Sequence, residues 1–124
     1  MSLKILLLIL VSVSFSAIAQ LVLKLGMSAP NVQGALAGDS RFAMAQAIGL
    51  NLKVLGGLTI YGLGAVLWLF VLARTDVSMA YPFVGLGFLL TMAFGALFLG
   101  EPMSFSRIAG TVLVASGVYL VAQS

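Results

Sequence analysis

"SFSAIAQLVLKLG", residues 14–26, carries two incompatible readings. Lys4, an apolar run and then Ala17-Ile18-Ala19 before Gln20 have the pattern of a secretory leader with its small-residue cleavage site. The same residues also fit the far end of a membrane-spanning helix that keeps an amide and an ammonium group in the bilayer. Past Gln20 the apolar run resumes as "LVLKLGM" instead of turning hydrophilic, and three further apolar runs follow. An uncleaved first span is expected.

Composition supports the membrane reading. Of the 124 residues, 62% are hydrophobic and 7% charged, against about 25% charged in soluble domains. A soluble fold of this size could not keep so apolar a surface in water. There is no Cys and no His, so no thiolate or imidazole metal site, disulfide framework or cofactor is expected. The net charge of +3 comes from singly scattered residues, which suit helix ends and anionic headgroups rather than nucleic acid.

Four runs are long enough to cross about 30 Å of hydrocarbon as helices: residues 3–25, 54–73, 79–99 and 108–122, the last drawing in Phe105 and Ser106. They are continuous rather than alternating, which excludes a barrel. "ARTDVS" and "GEPMSFSR" are short connections that force antiparallel neighbours. The connection from Met27 to Lys53 is longer. Within it, Asp39 or Ser40 is positioned to cap a short helix with Phe42, Ala45 and Ile48 on one face. The sequence thus predicts an all-α, polytopic membrane protein. It forms one domain over residues 1–124: four transmembrane helices, with a short interfacial helix between the first and second.

The polar residues inside these spans are the candidate site. Gln20 and Lys24, four apart, share a helical face. Lys24 can snorkel to headgroups and Gln20 can bond a neighbouring helix; alternatively both face a cavity and hold an anionic or sugar-bearing group. Tyr61, Trp68, Tyr81 and Pro82 are candidate cavity residues, and Arg74, beside Asp76 at the membrane boundary, joins the substrate-contacting set. Gly87, Thr91 and Gly95 form a small-residue stripe that lets another helix approach, as do Gly110 and Gly117, for packing within the subunit or a dimer contact. Glu101-Pro102 is expected to cap the last helix or to place a carboxylate near Arg107.

All three acidic residues, Asp39, Asp76 and Glu101, fall in connections. Proton-coupled export of cationic drugs by a small bundle needs an embedded carboxylate. No nucleophile–base pair or phosphate loop is present either, so an enzyme is not expected.

"VLWLFVLARTDVSMAYPFVGLGFLL" and "LGEPMSFSRIAGTVLVASGVYLV" resemble the drug/metabolite transporter superfamily, of the EamA type. Within it, Ala19-Gln20-Leu21 with Lys24, Leu67-Trp68-Leu69, Ala80-Tyr81-Pro82 and Glu101-Pro102 resemble the small subunits that flip aminoarabinose-phosphoundecaprenol. The resemblance to small multidrug resistance exporters is more distant, since their first helix carries a Glu that is missing here. The resemblance implies a flippase, or a subunit of one, in the bacterial inner membrane. Its cargo would be a lipid-linked sugar phosphate, with an amino sugar as one form. A homodimer, or a heterodimer with a paralogous four-helix subunit, is expected, because four helices cannot enclose a sugar-phosphate and fill their own core. Two alternatives are carried forward: export of a small metabolite or drug, and an accessory role beside a membrane glycosyltransferase. Orientation is weakly marked, with Lys4 and Arg74 on one side against Arg41, Lys53 and Arg107 on the other.

Overall fold

The computed structural model describes residues 2–124. Among these the chain is helical throughout its ordered elements: α1 (Leu3–Met27), α2 (Pro30–Ala37), α3 (Arg41–Gly49), α4 (Leu52–Leu72), α5 (Val77–Ala80), a 3₁₀ turn (Tyr81–Phe83), α6 (Val84–Phe98) and α7 (Phe105–Gln123). Four spans are long and apolar enough to cross a membrane: α1, α4, the combined stretch Val77–Phe98, and α7. The chain is a multi-pass membrane protein.

The first span starts behind Ser2, whose Oγ accepts the Ile5 N–H, and runs unbroken for 25 residues. Ala17 and Ala19, which read as a cleavage signal, are buried packing positions inside the bundle. Small side chains serve both readings, so the local pattern could not separate them.

Ser40 rather than Asp39 caps α3, taking the Ala43 N–H on its Oγ at 3.2 Å. No residue of α3 is buried in protein, and Phe42 is 78% exposed. The sequence predicts a single short helix in the connection from Met27 to Lys53, and α2 is a second one. Pro30 occupies the first turn of α2, where its missing N–H costs nothing. Val32 is its fully buried anchor.

The spans run up, down, up, down, ordered in space as α4–α1–α6–α7. α1 has its most extensive contact with α4, a second face on α6, and α7 lies outside on α6 and the 3₁₀ turn. Three glycines bring α1 and α4 together. A Cβ on Gly26 would lie 2.9 Å from the Val54 backbone nitrogen, one on Gly57 3.2 Å from the Leu23 nitrogen, and one on Gly64 3.3 Å from the Ser12 carbonyl oxygen. Without those side chains the backbones approach closely enough for dispersion to hold them, the main attraction available in lipid.

Two polar clasps complete the pair. The buried Ser12 hydroxyl donates to the Gly64 carbonyl at 2.7 Å. At the other end, Asn51 Oδ1 accepts the Lys53 and Val54 N–H groups that start α4, while Nδ2 donates to the Gly26 carbonyl at 3.2 Å. One side chain thus caps α4 and fastens it to α1.

The core, Ile9, Val13, Val71, Ala80, Phe83 and Val118, lies toward the end where both chain termini emerge. Pro82 breaks the third span there into α5, the 3₁₀ turn and α6, which rolls Phe83 into the core. α7 touches α6 closely where Gly85 admits Val114 and Val118.

Candidate functional site: a polar seam between α1 and α6

Along α1, Ser12, Ser16, Gln20 and Lys24 recur every four residues, a line of roughly 18 Å at 1.5 Å per residue. Ser12 and Ser16 share a cleft with Gly87 of α6, and Gln20 and Lys24 share one with Thr91 and Gly95. The Val13 side chain comes within 3.3 Å of the position a Gly87 Cβ would take. At Gly87 the small-residue face of α6 is therefore used inside the subunit, against α1.

Two clefts open along this seam, end to end. The first, of about 240 Å³, is lined by Ser12, Val13, Ser16, Tyr61, Gly64, Ala65, Trp68, Tyr81, Val84 and Gly87. It has hydroxyls on one wall and aromatic rings on the other. The second, of about 220 Å³, is lined by Ala17, Gln20, Leu21, Lys24, Thr91, Phe94, Gly95, Leu99 and Glu101. It holds the charged groups. Both lie below the range of roughly 300–1,000 Å³ in which single chains enclose drug-sized ligands.

The sequence-derived residues therefore divide. Tyr61, Trp68 and Tyr81 share the first cleft, while Gln20 and Lys24 share the second, one to two helical turns away. The single groove expected for all five is in fact two adjoining compartments. Pro82 lies in the turn that sets Tyr81 at the mouth and lines neither cleft. Arg74 sits in the exposed turn after α4, at the end remote from Lys24, and lines neither cleft.

The capping role expected of Glu101 falls to Ser104, whose Oγ accepts the Arg107 N–H at 3.1 Å. Arg107 in turn donates to the Pro102 carbonyl at 2.7 Å. Glu101 turns the other way. Gly100, at φ 65°, is the one positive-φ residue among those described. That left-handed step sends the Glu101 N–H back to the Gly95 carbonyl at 3.0 Å. The carboxylate then lies over Gly95, whose missing Cβ leaves the room, and enters the wall of the second cleft.

Gly110 and Gly117 face open space, and Val118 is the one buried residue of α7. Ser12 and Ser16 were missed by the sequence reading, which stopped at the charged end of α1. Their four-residue spacing to Gln20 was the available signal.

A comparison over nearly the whole chain places it in a known group. The probable 4-amino-4-deoxy-L-arabinose-phosphoundecaprenol flippase subunit ArnF of Shewanella sediminis is 32% identical over 130 residues, covering 98% of this chain and 89% of that protein. The chain belongs to the ArnE/ArnF family of flippase subunits. Two ArnE relatives match over shorter stretches. That of Pseudomonas savastanoi pv. phaseolicola is 41% identical over 58 residues, covering 47% of this chain and 51% of that protein. That of Pseudomonas aeruginosa strain UCBPP-PA14 is 36% identical over 63 residues, covering 51% and 55%. The matched region thus spans about half the length of these two ArnE subunits. No family model matches the chain, and no solved structure matches it.

In this ArnE/ArnF member the chemistry available along the seam is binding. Lys24 supplies a cation with three donors, Gln20 a donor–acceptor amide, Glu101 an acceptor, and the aromatic wall a stacking surface.

Proposed function

We propose that the chain is a transporter subunit rather than an enzyme. In this reading it moves a polyprenyl-phosphate-linked sugar, in the first instance an amino sugar, from the cytoplasmic to the periplasmic leaflet of the bacterial inner membrane. It works as a dimer with a second four-helix subunit, either a copy of itself or a paralogue. The relatives are named for a phosphoundecaprenol-linked amino sugar, which supplies the cargo class. The observation that carries the reading is the line Ser12, Ser16, Gln20 and Lys24 facing two successive clefts.

Moving a sugar-phosphate through hydrocarbon fails mainly on desolvation, because an unpaired charge in a medium of low polarity is too costly to populate. A row of hydroxyl, amide and ammonium groups replaces departing water at each turn of α1. The headgroup enters at Lys24 and Gln20, which engage its phosphate or sugar, and then passes along the seam to Tyr61, Trp68 and Tyr81, whose aromatic surfaces suit the C–H faces of the ring. The prenyl tail stays outside in lipid. Because four helices cannot enclose a sugar-phosphate and fill their own core, the second subunit closes the seam from the open side.

Lys24→Ala tests this directly. In inverted vesicles or a polymyxin-resistance assay, the variant at wild-type abundance should lose most of its activity, about tenfold or more, as expected when a charge-assisted bond to a phosphate is deleted. Unchanged activity would remove Lys24 from the path.

A further inference from the structure

The second cleft holds charges of both signs, and only the cation has been used so far. We infer that the Glu101 carboxylate, seated over Gly95, is the group that recognises a primary ammonium on the cargo, so that the Gln20–Lys24–Glu101 cleft selects a zwitterionic headgroup. This rests on the flippase reading above and deepens it.

Three features of the backbone put the carboxylate there. Gly100 takes a left-handed conformation that other residues rarely adopt, and so reverses the chain at the end of α6. The Glu101 N–H is then tied to the Gly95 carbonyl at 3.0 Å. Gly95 lacks the one carbon that would occupy the place of the carboxylate. Helix capping does not account for the acid, since Ser104 already provides that bond. What remains is an anion held by its backbone at the rim of a cleft that also contains Lys24.

The chemistry follows from the pairing. Lys24 alone would accept any phosphate diester. An added carboxylate repels a purely anionic headgroup and attracts one bearing an ammonium group, so the two charges together discriminate by attraction and by repulsion. An N-acylated sugar keeps its phosphate but loses its positive charge, and it would leave Glu101 unpaired.

The test is a competition between two probes for the full chain, extracted with whatever subunit accompanies it and observed by native mass spectrometry. One probe is a polyprenyl-phosphate-linked amino sugar, the other its N-acetylated counterpart. Wild-type protein should prefer the free amine by about tenfold. Glu101→Gln should bring that preference close to unity, and Gly95→Ala, which evicts the carboxylate without removing it, should do the same. Lys24→Ala should weaken both probes together and leave their ratio near that of wild type.

Retention of the wild-type preference by both Glu101→Gln and Gly95→Ala, in protein with an unaltered helical spectrum, would overturn the inference. Wild-type protein that binds neither probe defeats the flippase reading itself, an outcome distinct from loss of selectivity.

Discussion

Asn51 joins two jobs that are usually separate. Its Oδ1 takes two N–H groups at the start of α4, and its Nδ2 reaches the Gly26 carbonyl at the end of α1. Asn51→Ala removes both, and a loss of about 1–2 kcal/mol is expected from cap and clasp together. Asn51→Asp keeps the acceptor at a helix N-terminus, where a negative charge is favourable, but deletes the donor. It should cost less than half as much as the alanine variant. Thermal or detergent-titrated unfolding of the purified protein measures both. An aspartate variant as unstable as the alanine one would assign the whole effect to the bond with Gly26.

Between elements, the decisive surface is the α1–α4 contact. It explains which glycines matter. Gly57 meets Leu23, whereas its neighbour Gly56 meets nothing within 4 Å. Gly57→Ala and Gly26→Ala should each destabilise by about 1–3 kcal/mol through overpacking. Gly56→Ala should lie within about 0.5 kcal/mol of wild type or be slightly stabilising, since alanine favours helix. Unfolding of the adjacent pair of variants checks this, and equal values would mean the close approach is absent in the bilayer. The spans and the Ser40-capped α3 were legible in the sequence, because length, apolar character and a cap followed by periodic residues are local properties. The pairing was not. Gly87, Thr91 and Gly95 announce that some helix comes close, but nothing in their spacing names α1 as that helix. The division of Gln20 and Lys24 from Trp68 and Tyr81 depends on that choice, and so does the place of Glu101, which is set by a reversal at Gly100 rather than by any pattern along the last span.

Over the whole molecule, burial falls away from α1 toward α7, where Val118 is the lone buried residue and Gly110 and Gly117 meet no neighbour. We propose that the second subunit, besides closing the α1–α6 seam, packs on this outer face. The chain contains no Cys, so a single cysteine at Gly117 reports directly on contact. Oxidation in native membranes should yield a cross-linked species at the mass of two four-helix subunits, while a cysteine at Gly87, which faces Val13, should yield none. Monomer alone from Gly117→Cys would exclude a homodimer packed at this position. The central position of α1 also bears on biogenesis. Its main partner, α4, is the next span to leave the ribosome, and Gly26 and Asn51 lie only 25 residues apart on the nascent chain. The first hairpin can therefore lock while the later half is still being translated, and the third and fourth segments add to a finished template.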